Sequence, residues 1–177
     1  MVVDRWDFLP GLLQTEEYAR QIMSLYQAVV PTPPSILERR VQVRMRRQGV
    51  LTRDPPLELS VVLDESVLLR TIGGRDVMYA QLRHLADLAR SPNVELRVLQ
   101  LDAHPVVAGS FQIYEFSPIS QTERLGDVVG VENVHGHLYV EGEADTYLHR
   151  LVFQALADSA LSPKESQRLI YKTAERT

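Results

Sequence analysis

At 177 residues and 45% hydrophobic content, the chain is long enough for one well-buried domain, or one domain plus a helical appendage, and a second independent core is not expected. Its 19 Lys and Arg against 23 Asp and Glu give a net charge of −4, which argues against nucleic-acid binding by bulk electrostatics. The absence of cysteine excludes a disulfide framework, a thiol nucleophile and a thiolate metal site.

Met1 to Pro10 carries Asp4, Arg5, Trp6 and Asp7 where a secretory signal would have its apolar stretch, and no apolar run reaches membrane-spanning length. A cytoplasmic protein is expected. Phe8 to Leu13 is an apolar turn, and Thr15 before Glu16 and Glu17 supplies a helix cap with acidic residues at the positive end of the dipole. Tyr18, Ile22, Leu25, Tyr26 and Val29 fall on one face of this helix, which Pro31, Pro33 and Pro34 end. Ser35 and Glu38 have the spacing of a capping box for a second helix, running to about Gln48. Arg39, Arg40, Arg44, Arg46 and Arg47 lie on one of its sides, with Ile36 and Val43 among them. Solvated charge is the ordinary reading of such a face; apolar anchors inside an arginine rim favour a partner surface.

Leu57, Leu59, Val61 and Leu63 alternate as in a strand, and Gly73-Gly74 breaks that period. Met78, Leu82, Leu85 and Ala89 then recur at helical spacing. Ser91-Pro92-Asn93 stops the helix, and Val94 to Leu101 returns to a strand. A parallel strand–helix–strand unit results. Asp102 to Gly109 is a polar connection, Phe111 to Phe116 a further strand, and Pro118 to Gly126 a loop without apolar period. Val128 to Val134 and His137 to Glu141 read as a hairpin around His135-Gly136. Ala144, Leu148, Leu151, Val152, Ala155 and Leu156 predict an amphipathic helix, and Ser162, Pro163 and Glu165 cap a last one.

Several residues invite a chemical reading. Asp64 and Glu65 follow the first strand, where open sheets place ligands, though a helix cap explains Asp64 as well. Arg70 near Gly73-Gly74 could hold an anion, while the glycines themselves serve the turn. His104 follows the second strand and could be a base. Glu132 lies in an apolar strand and, if buried, needs a partner such as Arg97 or Arg70. His135, His137, His149 and Asp145 make a metal site conceivable, but no helical histidine pairing of the metalloprotease kind occurs. No GxSxG elbow supports a serine nucleophile.

The motifs PGLLQTEEYAR, ERRVQVRMRRQGVLTRD, VVLDESVLLRTIGGRDVMYAQLRHLADLARSPNVELRVLQLDAHP, GSFQIYEF, VVGVEN and ALSPKESQRLI, in this order, resemble the C-terminal domain of actinobacterial helix-turn-helix regulators of the Cro/repressor (XRE) class, the antitoxin-like, WhiJ type. The resemblance covers nearly the whole chain. It implies a regulatory domain whose DNA-reading helix-turn-helix lies upstream of the PGLLQT segment, outside this sequence, and whose frequent partner is a small companion protein encoded nearby. Where the family often has a glycine-rich stretch after its histidine, this chain has His104-Pro105-Val106-Val107-Ala108-Gly109. The resemblance supplies no catalytic residue.

The combined expectation is a mixed α/β (α+β) fold: a mostly parallel or mixed sheet of about five strands, helices packed on it, and an N-terminal helical pair. Residues 1–56 form the helical partner or dimer surface and 57–177 the regulatory domain, within one compact unit. The partner surface is expected at Tyr18, Ile22, Arg40, Val43 and Arg47, and a small ligand at Asp64, Glu65, Arg70, His104 and Glu132. No metal or cofactor and no membrane contact are expected. A homodimer is, because such regulators read paired half-sites, with DNA contacted only through the upstream domain. The rival is a hydrolase or phosphoesterase working with Asp64, His104 and Glu132, and it requires those groups to converge.

Overall fold

The computed structural model describes residues 2–5, 8–103, 109–116, 125–133 and 136–177, with the backbone alone at 2–5, 28 and 133. The elements run β1 (Val2–Arg5), α1 (Glu16–Leu25), α2 (Pro34–Gln48), β2 (Leu59–Asp64), α3 (Ser66–Leu69), α4 (Arg75–Leu88), β3 (Val94–Leu99), β4 (Phe111–Tyr114), β5 (Val128–Asn133), β6 (Gly136–Glu141), α5 (Glu143–Ser159) and α6 (Pro163–Ala174). A single 3-10 turn, Gly11–Leu13, precedes α1. His104, His135 and the proposed loop from Pro118 lie outside the described residues, apart from the loop's last two positions.

The fold is mixed α and β, as expected, but the five-stranded central sheet is not what forms. A parallel pair, β2 and β3, and a three-stranded antiparallel meander, β4 to β6, are joined only through β1. That strand runs parallel to β2 and antiparallel to β4, giving the order β3-β2-β1-β4-β5-β6. Four residues with two charges among them show no period of their own. Their pairing is set by partners at Ser60 to Leu63 and Phe111 to Ile113, far along the chain.

Strand residues alternate between two cores. Leu59, Val61 and Leu63 point toward α4 and α6, joining Met78, Leu82, Leu85, Leu96, Val98 and Ile170. Leu9, Leu13, Tyr18 and Ile22 of the N-terminal segment enter the same cluster, so the helical segment and the sheet share one interior. Val62 points the other way and meets Phe111, Ile113, Val129 and Leu156 under α5. Each fully buried Leu contributes roughly 1.5–3 kcal/mol.

The caps divide between expectation and correction. The Thr15 hydroxyl accepts from the Tyr18 N–H at 3.3 Å, and Ser162 and Glu165 form the full capping box of α6. For α2 the expected Ser35–Glu38 box does not form. Pro34 is already in the first turn, Pro33 stands at the cap, and no side chain bonds the free N–H groups. Glu38 turns instead toward Arg20 of α1, at 3.2 Å.

The buried face of α5 is also rotated from the expected stripe. Thr146, Leu156 and Ala157 are buried with Val152 and Phe153 packed beside them, while Leu148 and Leu151 stay half or more exposed. The helix packs against β2, β3, β4, β5 and β6, and that long span selects a face by contact rather than by summed hydrophobicity. No helix among the described residues is long and apolar enough to cross a membrane.

Candidate functional site

The segment from Leu9 to Thr15 is held by glutamines. Gln81 of α4 is fully buried; its Nε2 donates to the Leu13 carbonyl and its Oε1 accepts from the Thr15 N–H, both at 2.7 Å. Gln48 of α2 donates to the carbonyls of Gln14 (2.6 Å) and Gly11 (3.0 Å). Gln14 donates to the Leu9 carbonyl at 2.6 Å and accepts from Arg44 at 2.8 Å. Irregular backbone this close to a core needs such partners, and they make the turn a fixed wall.

Facing that wall is the half of the sheet that α4 and α6 do not cover. Pairing of Val61 with Val3, Val3 with Gln112, Gln112 with Gly130 and Gly130 with Tyr139 puts these positions on one face. Tyr114, Glu132 and His137 share it by strand alternation, Glu132 directly opposite His137. Between this face and the wall lies a cavity of about 390 Å³, bounded by Phe8, Leu9, Pro10 and Leu12 on one side, by Gln112, Tyr114, Glu132, His137 and Tyr139 on the other, and by Arg44 and Arg47. Tyr139 lies 6.5 Å from Tyr114 and is stacked on His137, their planes 18° apart and centroids 6.1 Å apart.

A second groove, about 520 Å³, runs between α1 and α2. Ile22, Met23, Tyr26, Ile36 and Val43 supply its apolar surface and Arg39, Arg40, Arg44 and Arg47 its rim. Tyr26 and Val43 are 60% and 50% exposed. The charges here are unevenly satisfied. Arg20 is shared by Glu38, Glu16 and Glu17, which raise its pKa further, and the same contacts hold the Glu38 carboxyl below its usual range. Arg39, Arg40 and Arg47 have no carboxylate within ion-pair distance among the described residues.

Of the expected partner residues, Arg40, Val43 and Arg47 line this groove. Tyr18 does not: it is buried in the core, where desolvation raises its phenol pKa. Ile22 is also buried and forms only the groove's base. Both sit on the inner side of α1, and the helical stripe that made them conspicuous is the face the core consumes.

The four expected ligand residues that are described, Asp64, Glu65, Arg70 and Glu132, do not assemble. Asp64 Oδ1 caps α3 by accepting from the Ser66 N–H at 2.9 Å, and Glu65 accepts from the Leu101 N–H at 3.0 Å. The Arg70 guanidinium stands over the Phe8 ring at 6.0 Å. His104 is outside the described residues. Of the four that are described, Glu132 alone reaches the cavity. It lies three strands from Asp64, roughly 14 Å at ordinary strand spacing, and on the opposite face of the sheet. Asp64 and Glu132 therefore cannot share a proton or a metal ion across one site. Arg97 bonds Glu95 at 2.7 Å, also on the face away from Glu132.

The histidines separate in the same way. His149 sits on α5, edge-on to Phe111 at 5.1 Å and 2.8 Å from the Asp145 carbonyl, across the sheet from His137. Among the described residues no group of three His, Asp or Glu could hold a metal ion.

Sequence reasoning passed over Gln112, Tyr114, Tyr139 and Phe8. The available signal was the two-residue spacing of Gln112 with Tyr114 and of His137 with Tyr139. Phe111 and Ile113 beside the first pair and Val140 beside the second turn to the α5 side, which leaves the aromatic groups on the face that α4 and α6 do not cover.

No curated protein and no solved structure matches the chain. A family model does, over residues 5–172, and its description is a domain of unknown function (DUF5753). Since the match spans the wall, both helices of the groove and all the strands that floor the cavity, the chain belongs to the DUF5753 family.

Proposed function

We propose that this chain is the regulatory, partner-binding domain of a cytoplasmic DNA-binding transcription regulator, with base reading carried by a helix-turn-helix domain attached upstream. The motif order supports it through its resemblance to the XRE-class regulators. The observation that carries the partner role is the groove between α1 and α2, where Arg39, Arg40 and Arg47 rim Tyr26, Ile36 and Val43 without carboxylate partners of their own. Cations left unpaired around apolar anchors suit an acidic, amphipathic segment of a small companion protein. Binding would act on DNA by favouring one arrangement of a homodimer over another.

The test is calorimetric titration of the small protein encoded beside this one into the full chain, with Arg40→Glu and Val43→Asp as separate variants. Both positions line the groove and neither lines the cavity. Charge reversal at Arg40 should weaken binding roughly a hundredfold and reduce its salt dependence. Undiminished affinity in both variants would remove the groove from the mechanism.

A further inference from the structure

The two faces of the sheet are treated differently. α5 lies across one face from β2 to β6, whereas α4 and α6 cover the other only over β2 and β3. The uncovered half is floored by rings. Tyr114, Tyr139 and His137 stand side by side there, and Gly130 between the tyrosines contributes no side chain to lift them off the strand. We propose that the cavity above this floor binds a small planar aromatic anion.

Three features define the ligand. Phe8, Leu9, Pro10 and Leu12 make one apolar wall, and the floor opposite, where Gln112 and Glu132 add polar groups, presents the rings of Tyr114, His137 and Tyr139 to a flat ligand. The volume, about 390 Å³, stands at the lower end of ordinary ligand pockets and suits one or two fused rings. The charge comes from Arg47. Arg44 is spent on Gln14, and Glu132 is already engaged within the chain, so among the described residues Arg47 is the arginine left to meet an incoming carboxylate. The assignment stands on the cavity alone and does not require the partner reading of the neighbouring groove.

Naphthoate, its uncharged amide and cyclohexanecarboxylate are titrated into the full chain by calorimetry, with tyrosine ring resonances followed by NMR. Naphthoate should bind about tenfold or more tightly than either relative, since one lacks the charge and the other the ring. Arg47→Gln should abolish the preference for naphthoate over the amide, and Tyr139→Ala should weaken both. Arg39→Gln, outside the cavity, should change neither. Both altered side chains are exposed, Tyr139 by 58%, so the variants keep their fold. The proposal is overturned if naphthoate fails to saturate the protein by about millimolar concentration, if the amide binds equally well, or if Arg47→Gln and Tyr139→Ala leave affinity intact. The partner reading fails on other variants, Arg40→Glu and Val43→Asp, so the two results are independent.

Discussion

The ring of Tyr114 on β4 lies so close over Gly130 on β5 that a Cβ at position 130 would stand 3.0 Å from Tyr114 Cε2 and 3.6 Å from its hydroxyl oxygen. Tyr114 is held there by its own hydroxyl, which donates to Gln112 Oε1 at 2.6 Å. Glycine is needed at 130 for space rather than for backbone conformation, because its φ is not in the left-handed region. Gly130→Val should therefore keep the fold, a branched residue being well suited to a strand, while tilting Tyr114 off the cavity floor. Naphthoate affinity should fall about fivefold to tenfold, the worth of one aromatic contact. A shift of the Tyr114 ring resonances without a loss of melting temperature is the checking measurement.

Gln81 offers a test of the wall opposite. It spans two backbone groups of the N-terminal turn, and Gln81→Leu keeps the volume while leaving the Leu13 carbonyl and the Thr15 N–H without partners. Each group stranded in a buried site costs roughly 1–3 kcal/mol. Urea unfolding should show a loss of that order for the pair, and hydrogen exchange should show the amide of Thr15 exposed. A variant as stable as the parent would mean that water or relaxation replaces both bonds.

His84 on α4 makes stability pH-dependent in a defined window. Its Nε2 is buried without a hydrogen-bond partner among the described residues, and desolvation lowers its pKa from 6.5, opposed by Asp87. Above pH 6.5 the imidazole is neutral in both folded and unfolded chains and adds no slope. As pH falls through 6.5 the unfolded chain takes up the proton first, and stability declines until the folded imidazole is protonated too. Glu17, Glu38 and Glu165 have carboxyl pKa values held below 4.5, so their contribution is present above that pH and lost only below it. His84→Gln should flatten denaturant-derived stability in the window just below pH 6.5 and leave the limb below pH 4.5 unchanged.

The cavity and the groove share Ile22, Tyr26, Arg44 and Arg47 as walls. An anion that draws Arg47 into the cavity takes it from the groove's rim. If both proposals hold, naphthoate should weaken companion-protein binding, and the companion should weaken naphthoate by the same factor, as linkage requires. A factor of about fivefold or more is expected from one redirected cation. Titrating each ligand in the presence of the other measures it, and Arg47→Gln should remove the coupling.

What could be read from the chain alone was local. The Thr15 cap, the Ser162–Glu165 box and the stripe of Met78, Leu82 and Leu85 each depend on residues within a turn or two of one another. The parallel pairing of β2 with β3 follows from the helix between them. Arg40, Val43 and Arg47 were legible as a surface because an arginine rim cannot be buried whole. Tyr18 and Ile22 were misplaced for the complementary reason: an apolar stripe says that a helix face is covered, not by what.

Tertiary structure alone decided the rest. Val2–Arg5 becomes a strand only because β2 and β4 present unpaired edges to it. The rotation of α5 follows from the sheet beneath it, and the cavity joins Phe8 to Tyr139 across most of the sequence. Helix stripes and caps are set by neighbours a few residues away, so composition and spacing encode them directly. Strand partners and facing walls are chosen among distant segments by which arrangement buries most apolar surface, and no single stretch of sequence carries that comparison.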